Sequence, residues 1–435
     1  MDTGDTAWML TSTALVLFMT PGLALFYGGM VRAKNVLGML MQNFAAMGLM
    51  AVLWSLAGFS LAFGAAGNGG VIGNLEYLGL NGVGPEPGLG LTIPFILFCT
   101  YQMTFAVITP ALITGASADR MRFGAFLTFI GAWLLLVYAP VAHWFFAGGW
   151  AASLGALDFA GGAVVHINAG AAALALVLVL GKRRGWRREP MPPHSLPLTL
   201  LGTGILWFGW FGFNAGSALA ANGVAAQAAF NTFTAASAGM LGWMVVERMR
   251  TGHATTLGAA SGAVAGLVAI TPCAGFVSGL SPIAIGAVAG AVCLLAVDVK
   301  YRLGYDDSLD VVGVHLVGGL VGALLLGLFA DARVNELGAD GLLFGGGLSL
   351  LYAQALASVA TFGFSFVASL AIAKVVDLVL GLRVGEDGEL EGLDRDQHAE
   401  TAYALEGSFG GTIAGTRSAP APAPQARTVG PALDT

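Results

Sequence analysis

Two histidines of this chain sit in runs that are otherwise almost wholly apolar. His166 lies in AGGAVVHINAG (residues 160–170) and His315 in DVVGVHLVGG (residues 310–319). A neutral imidazole carries one N–H donor and one bare acceptor nitrogen, so it can pass on a hydrogen bond or relay a proton. The other four histidines, His143, His194, His253 and His398, fall at the end of an apolar run, in polar loops or in an acidic tail. In both apolar runs an aspartate comes first: Asp158 before His166, and Asp307 and Asp310 before His315. At 1.5 Å rise per residue, Asp158 lies about 12 Å along a helix from His166, so the two are not partners. Asp158 reads instead as the cap of a helix N-terminus, with electrostatic attraction of a cation as its second reading.

These residues must be held by membrane-spanning helices. The chain has 435 residues, 56% of them hydrophobic and 10% charged, with a mean hydropathy of +0.78. Soluble domains carry about 25% charged residues, so this surface cannot face water throughout. Apolar runs such as WMLTSTALVLFMTPGLALFYGG recur from end to end, and about eleven are long enough to cross a bilayer as helices. Of the 19 Lys and Arg residues, all but Arg333 fall in alternate breaks or near and beyond the end of the last run. The positive-inside rule then puts the N-terminus outside and the C-terminus in the cytoplasm, with an odd number of spans. Cys99, Cys273 and Cys293 are scattered fillers without metal-ligand spacing. No phosphate-binding loop, dinucleotide fingerprint or nucleophile elbow is present, so the reading is not an enzyme and calls for no cofactor or metal.

His166 falls in about the fifth span and His315 in about the tenth. A unit of five crossings is odd, so its second copy is inserted upside down. Inverted repeats of this kind place transporter sites near the midplane between the halves. The fold expected is therefore an all-α polytopic membrane protein: two five-helix inverted repeats plus a final helix, with His166 and His315 meeting across the repeat axis. Intramembrane ionisable groups usually line a pathway, which favours a functional pair over two unrelated core residues.

Three domains follow: a membrane body at 1–381, a cytoplasmic tail at 382–416, and a disordered Pro/Ala-rich end at 417–435. Residues 382–406 hold eight acids and two bases, a net charge of −6 that equals that of the whole chain.

Several stretches in order resemble the ammonium transporters of the Amt/Mep/Rh group, in their bacterial Amt form. They are PGLALFYGGMVRAKN, YQMTFAVITPALITGASADRMRF, DFAGGAVVHINAG, WFGFNAGS, DDSLDVVGVHLVGG and, in the tail, GLRVGEDGELEGLDRDQHAETAY. The resemblance covers residues 7–416 and implies eleven helices, a homotrimer and one narrow pore per subunit in the inner membrane of a bacterium. It implies pore histidines at His166 and His315, sharing a hydrogen bond, and a stacked phenyl gate at Phe105 and Phe213. It also implies a substrate site at Tyr101, Phe105, Phe146 and Ser217, and a structural or recruiting role for Asp158. Spacing agrees, because Tyr101 with Phe105 and Phe213 with Ser217 are each i,i+4 and share a helix face. One position departs from the family: a Trp is usual where HWFFAGGW places Phe146, and Phe is the weaker cation–π partner. Tyr101 stands where Phe is common. The tail is a docking place for a cytoplasmic PII-type signalling protein in bacterial relatives.

The expected activity is ammonium transport: capture of the cation on aromatic faces, deprotonation at the gate, and passage of ammonia past the histidines, with a proton relay through the pair. Alternatives are a sensor that reports ammonium through its tail and a passive Rh-type gas channel.

Overall fold

The computed structural model describes residues 1–67 and 69–403. The proposed disordered end at 417–435, and tail residues 404–416, lie outside them. Long helices follow one another from the N-terminus: α1 (Thr3–Met30), α2 (Ala33–Phe63), α3 (Phe95–Ser117), α4 (Phe123–Ser153), α5 (Gly162–Leu180) and α6 (Leu196–Ala218). Then come α7 (Gly223–Thr251), α8 (Thr256–Ile270), α9 (Ser281–Leu303), α10 (Val312–Phe329) and α11 (Ser349–Leu380). Among the described residues, nine are long and apolar enough to cross a membrane. The other two are α8, short but apolar, and α7, which is long enough but carries Gln227, Asn231, Glu247, Arg248 and Arg250. The protein is a multi-pass helical membrane protein.

Helix starts follow the sequence closely. Asp2, Ser195, Asn222 and Thr255 each accept a backbone N–H three residues ahead, satisfying one of the orphan donors of a first turn. At the other end of α7, Gly252 takes φ 84°, a left-handed cap that glycine adopts without strain. Between the long helices, the described residues form loops with short helical turns at Leu78–Leu80 and Leu342–Phe344 and two two-residue strands pairing Ala66 with Gly73 and Gly67 with Ile72.

Helices α3 and α5 are the most enclosed, whereas only 33% of the apolar stretch of α9 and 28% of that of α11 is buried. Helix α5 begins beside the aromatic cavity that contains Ser217, and α10 begins at the opposite face, beside Lys300 and Arg120. The two run in opposite directions, as an inverted repeat requires.

Residues 382–403 are anchored on the face where α10 begins. Arg122 N–H donates to the Leu382 carbonyl (2.8 Å) and Val384 N–H to that of Arg120 (3.0 Å). Two short helices follow, α12 (Glu386–Glu391) and α13 (Leu393–His398). Asp394 accepts the Gly38 N–H (2.8 Å), so a tail carboxylate caps α2. Lys34 Nζ donates to the Glu389 and Leu390 carbonyls at 2.6 Å each. The tail is thus spread over the segments that carry Lys34, Arg120, Arg122 and Arg184, held by backbone groups on both sides and by the Arg184 N–H on the Glu389 carboxylate (3.0 Å).

Candidate functional site

The local chain geometry is unusual where it matters. His166, Phe213 and His315 each lie in a widened π-helical turn, spanning Gly162–Ile167, Phe211–Ala215 and Val312–Leu316. In the first, His166 N–H reaches back five residues to the Gly161 carbonyl (3.1 Å). Such turns re-aim one side chain off the regular helical register and often occur at functional sites. Two more, at Trp54–Gly58 and Leu134–Tyr138, lie elsewhere in the helices.

The site is a column. At its top is a 210 Å³ cavity whose walls include Phe105, Phe146, Phe159, Gln102 and Ser217. The Ser217 hydroxyl donates to the Phe213 carbonyl (2.8 Å), so its own proton is used and its lone pairs are what it offers to a cation. Tyr101 is fully buried and does not line this cavity. Its hydroxyl sits behind the serine, 3.2 Å from Ser217 Oγ and 2.9 and 3.0 Å from the Gly212 and Phe213 carbonyls. Its ring meets Phe105 edge-on, with centroids 5.0 Å apart. Tyr101 therefore positions Ser217 and Phe105 from behind.

The floor of the cavity is a pair of phenyl rings. Phe105 and Phe213 lie 4.4 Å apart between centroids at 38°, each 1% exposed. Below them, His166 lies under Phe213 (centroids 6.1 Å, 25°), and His315 meets His166 edge to edge in nearly the same plane (5.3 Å, 18°). Their Nδ1 atoms are 3.2 Å apart, so one donates to the other. With two neutral rings, the pair then presents one bare Nε2 acceptor and one Nε2–H donor. Among the described residues, His166 Nε2 is buried without a hydrogen-bond partner.

The space beside these rings is about 10 Å³, lined by Leu23, Ile108, Leu112, Val264, Phe213 and both histidines, with no charged group. That is about the room one water molecule needs. On the far side a 320 Å³ cavity is charged instead, with Arg32, Asp119, Arg183, Lys300 and Asp310 in its walls.

Both histidine helices are capped by the preceding aspartate. Asp158 accepts four backbone N–H groups, from Gly161, Gly162, Ala163 and Val164 at 2.6–3.1 Å. Burial lifts its carboxyl above the usual range, and those four donors oppose the lift. Asp307 accepts Val311 N–H (3.1 Å) and Val312 N–H (2.7 Å).

Phe146, of the stretch HWFFAGGW, is in the wall of the upper cavity. Trp144 does not, because its indole N–H donates to the Val71 carbonyl (2.8 Å) and its ring packs on Trp150 and Phe364. The column also contains a residue the sequence analysis passed over. Trp210 stacks on His166 (5.6 Å, 20°) and is held by an indole hydrogen bond to Thr271 Oγ1 (3.0 Å). The signal was available, since Trp210, Phe213 and Ser217 recur at i, i+3, i+7 on one face of α6.

Helices that cross a membrane, two of them inverted about a paired histidine core, and a passage one small molecule wide beneath aromatic rings define a membrane transport protein. The chain belongs to the ammonium transporter family: residues 7–403 match the family described as Ammonium Transporter Family. It is 53% identical to an ammonium transporter of Bacillus subtilis over 405 residues, covering 93% of this chain and 99% of that one. It is 52% identical to an ammonium transporter of Mycobacterium bovis over 431 residues, covering 92% and 90%. The crystal structure of Candida albicans Mep2 superposes with a TM-score of 0.85 at 38% identity, covering 93% of this chain and 94% of that one.

Proposed function

We propose that this chain takes up ammonium across a bacterial plasma membrane by separating the cation into ammonia and a proton at the phenyl gate. Family membership supports ammonium as the substrate. The finer reading rests on one observation above all: a gap of about 10 Å³ with no charged wall, holding two imidazoles with Nδ1 atoms 3.2 Å apart. A cation stripped of water would meet no counter-charge there, and burying an unpaired charge is costly. Ammonia, which fits the space of one water, meets an acceptor and a donor.

In this reading the cation binds against Phe105 and Phe146 and donates to Ser217. Cation–π contact and one hydrogen bond replace part of its hydration. An N–H bond then breaks with the electron pair left on nitrogen. Ammonia passes Phe105 and Phe213, while the proton travels separately through His166 and His315 and rejoins ammonia beyond them. Potassium has no proton to release and stays outside. Asp158 holds α5 in place, and its charge adds to the attraction at the mouth. The cavity above the gate faces outside and the tail faces the cytoplasm, with eleven crossings. Three copies form the working assembly, and the tail at 382–416 regulates transport and receives a PII-type protein.

Purified protein in proteoliposomes on a solid-supported membrane tests this. An ammonium jump is expected to give a current, accompanied by uptake of labelled methylammonium, and a potassium jump to give none. Uptake without current would replace the relay with passage of ammonia alone. Neither uptake nor current would leave a sensor.

A further inference from the structure

The upper cavity is not the first compartment a solute enters. A larger one of 540 Å³ adjoins it, sharing Phe63, Phe98, Phe146 and Leu219 as a common wall. Among the residues lining that compartment, Glu76 is the one charged side chain, and Tyr77 stands next to it. The segment is built to stay put. Glu76 N–H donates to Asn74 Oδ1 (3.0 Å), and Tyr77 N–H donates to Ser60 Oγ (3.0 Å), which itself donates to the Asn74 carbonyl (2.9 Å). One Glu76 oxygen accepts the Ala65 N–H (2.5 Å), which fixes the carboxylate at the rim. Burial and the adjoining Glu76 charge push the Tyr77 phenol up.

Three other carboxylates on this face each hold more donors than Glu76, whose side chain takes the Ala65 N–H alone. Asp158 is saturated by four N–H groups. Asp5 accepts from Thr92 Oγ1 and Ala221 N–H, and Asp331 is paired with Arg333 and accepts from Ser278. With one backbone donor on it, a carboxylate against apolar and aromatic walls still directs most of its field into the compartment.

We propose that Glu76 and the Tyr77 ring form an outer station for small ammonium-type cations, which concentrates them one compartment ahead of the Ser217 site. This rests on the transport reading above. The station attracts by charge and aromatic face, and it does not select, because a monovalent metal cation satisfies the same groups. Selection stays at the gate. The contribution is that of an exposed charge, so it is modest and screened by salt.

The test is labelled methylammonium uptake into proteoliposomes at low and high ionic strength, comparing wild type, Glu76→Gln and Glu76→Asp. The amide keeps an oxygen for the Ala65 N–H and removes only the charge. At low salt Glu76→Gln is expected to raise KM roughly two- to fivefold, the span of one exposed ion pair, with the maximal rate unchanged. At high salt the difference should close, and Glu76→Asp should remain near wild type. An unchanged KM at low salt, or a KM difference that persists at high salt, overturns the station. Failure of the transport reading looks different, since wild type itself would then show no uptake.

Discussion

The helix that starts at Asp158 and the helix that starts at Asp307 are built to one plan and finished differently. Each opens on a capping aspartate, reaches a histidine eight residues later, and carries a glycine four residues beyond that, Gly170 or Gly319. The glycines let the two helices cross. A Cβ on Gly170 would lie 2.5 Å from the backbone nitrogen of Leu316, the residue after His315. A Cβ on Gly319 would lie 3.1 Å from the nitrogen of Ile167, the residue after His166. The surroundings differ. Asp158 caps with four N–H donors, the next residue, Phe159, lines the aromatic cavity, and Trp210 and Phe213 lie against its histidine. Asp307 caps with two, and Lys300, which donates to the Asp307 carbonyl (2.9 Å) and pairs with Asp310, sits beside it. Burial raises the Asp307 carboxyl and Lys300 pulls it back. The repeat preserves what brings the histidines together and differs at the two mouths, one walled by aromatic rings and one by fixed ion pairs.

The most severe way to break this pairing is to remove the histidines. His166→Ala or His315→Ala leaves the other ring with a buried unpaired nitrogen, a cost of about 1–3 kcal/mol, so transport should fall roughly ten- to a hundredfold. The double variant should lose little more than either single one, because groups acting as a unit fail together. Ammonium and potassium currents in stable single and double variants measure this. Wild-type ammonium current with potassium still excluded in the double variant would show that the pair is not the transport machinery.

The crossing glycines offer a subtler break. Overpacking a close contact typically costs about 1–3 kcal/mol. Gly170→Ala should lower the melting temperature more than Gly319→Ala, because its Cβ meets backbone at 2.5 Å rather than at 2.9 Å, the distance from Gly319 to the Gly162 carbonyl oxygen. Transport should fall in the same order, since either change wedges the histidines apart. The opposite ranking, measured by thermal unfolding in detergent and by uptake, would mean the crossing is not fixed at these contacts.

The smallest effect sharpens the contrast between the mouths. Phe146→Trp enlarges the cation–π surface of the aromatic mouth and should tighten apparent ammonium affinity by about 0.5–1 kcal/mol. Competition against labelled methylammonium reads it directly. Unchanged or weaker affinity in a folded variant removes Phe146 from the capture site.

Composition and spacing by themselves determined the membrane class, the run of apolar helices, the doubled histidine motif and the segregation of positive charge into alternate loops. All of these are consequences of solvent: a chain with 10% charged residues has no choice about where its apolar runs go. The i,i+4 pairs Tyr101–Phe105 and Phe213–Ser217 were legible because helical periodicity is a local property. Local rules also pointed to Asp158 as a cap. Only the tertiary structure decided that Tyr101 stands behind Ser217 and that Trp210 completes the stack on His166. It also decided that Trp144 turns away to Val71, and that Asp394 of the tail caps α2. The 3.2 Å between the histidines, the 10 Å³ beside them and the carboxylate of Glu76 at the entrance belong to the same group. The reason is physical: the widened turns that re-aim three side chains, and the glycine contacts that let α5 meet α10, join residues about 150 positions apart through packing, which no local spacing rule encodes.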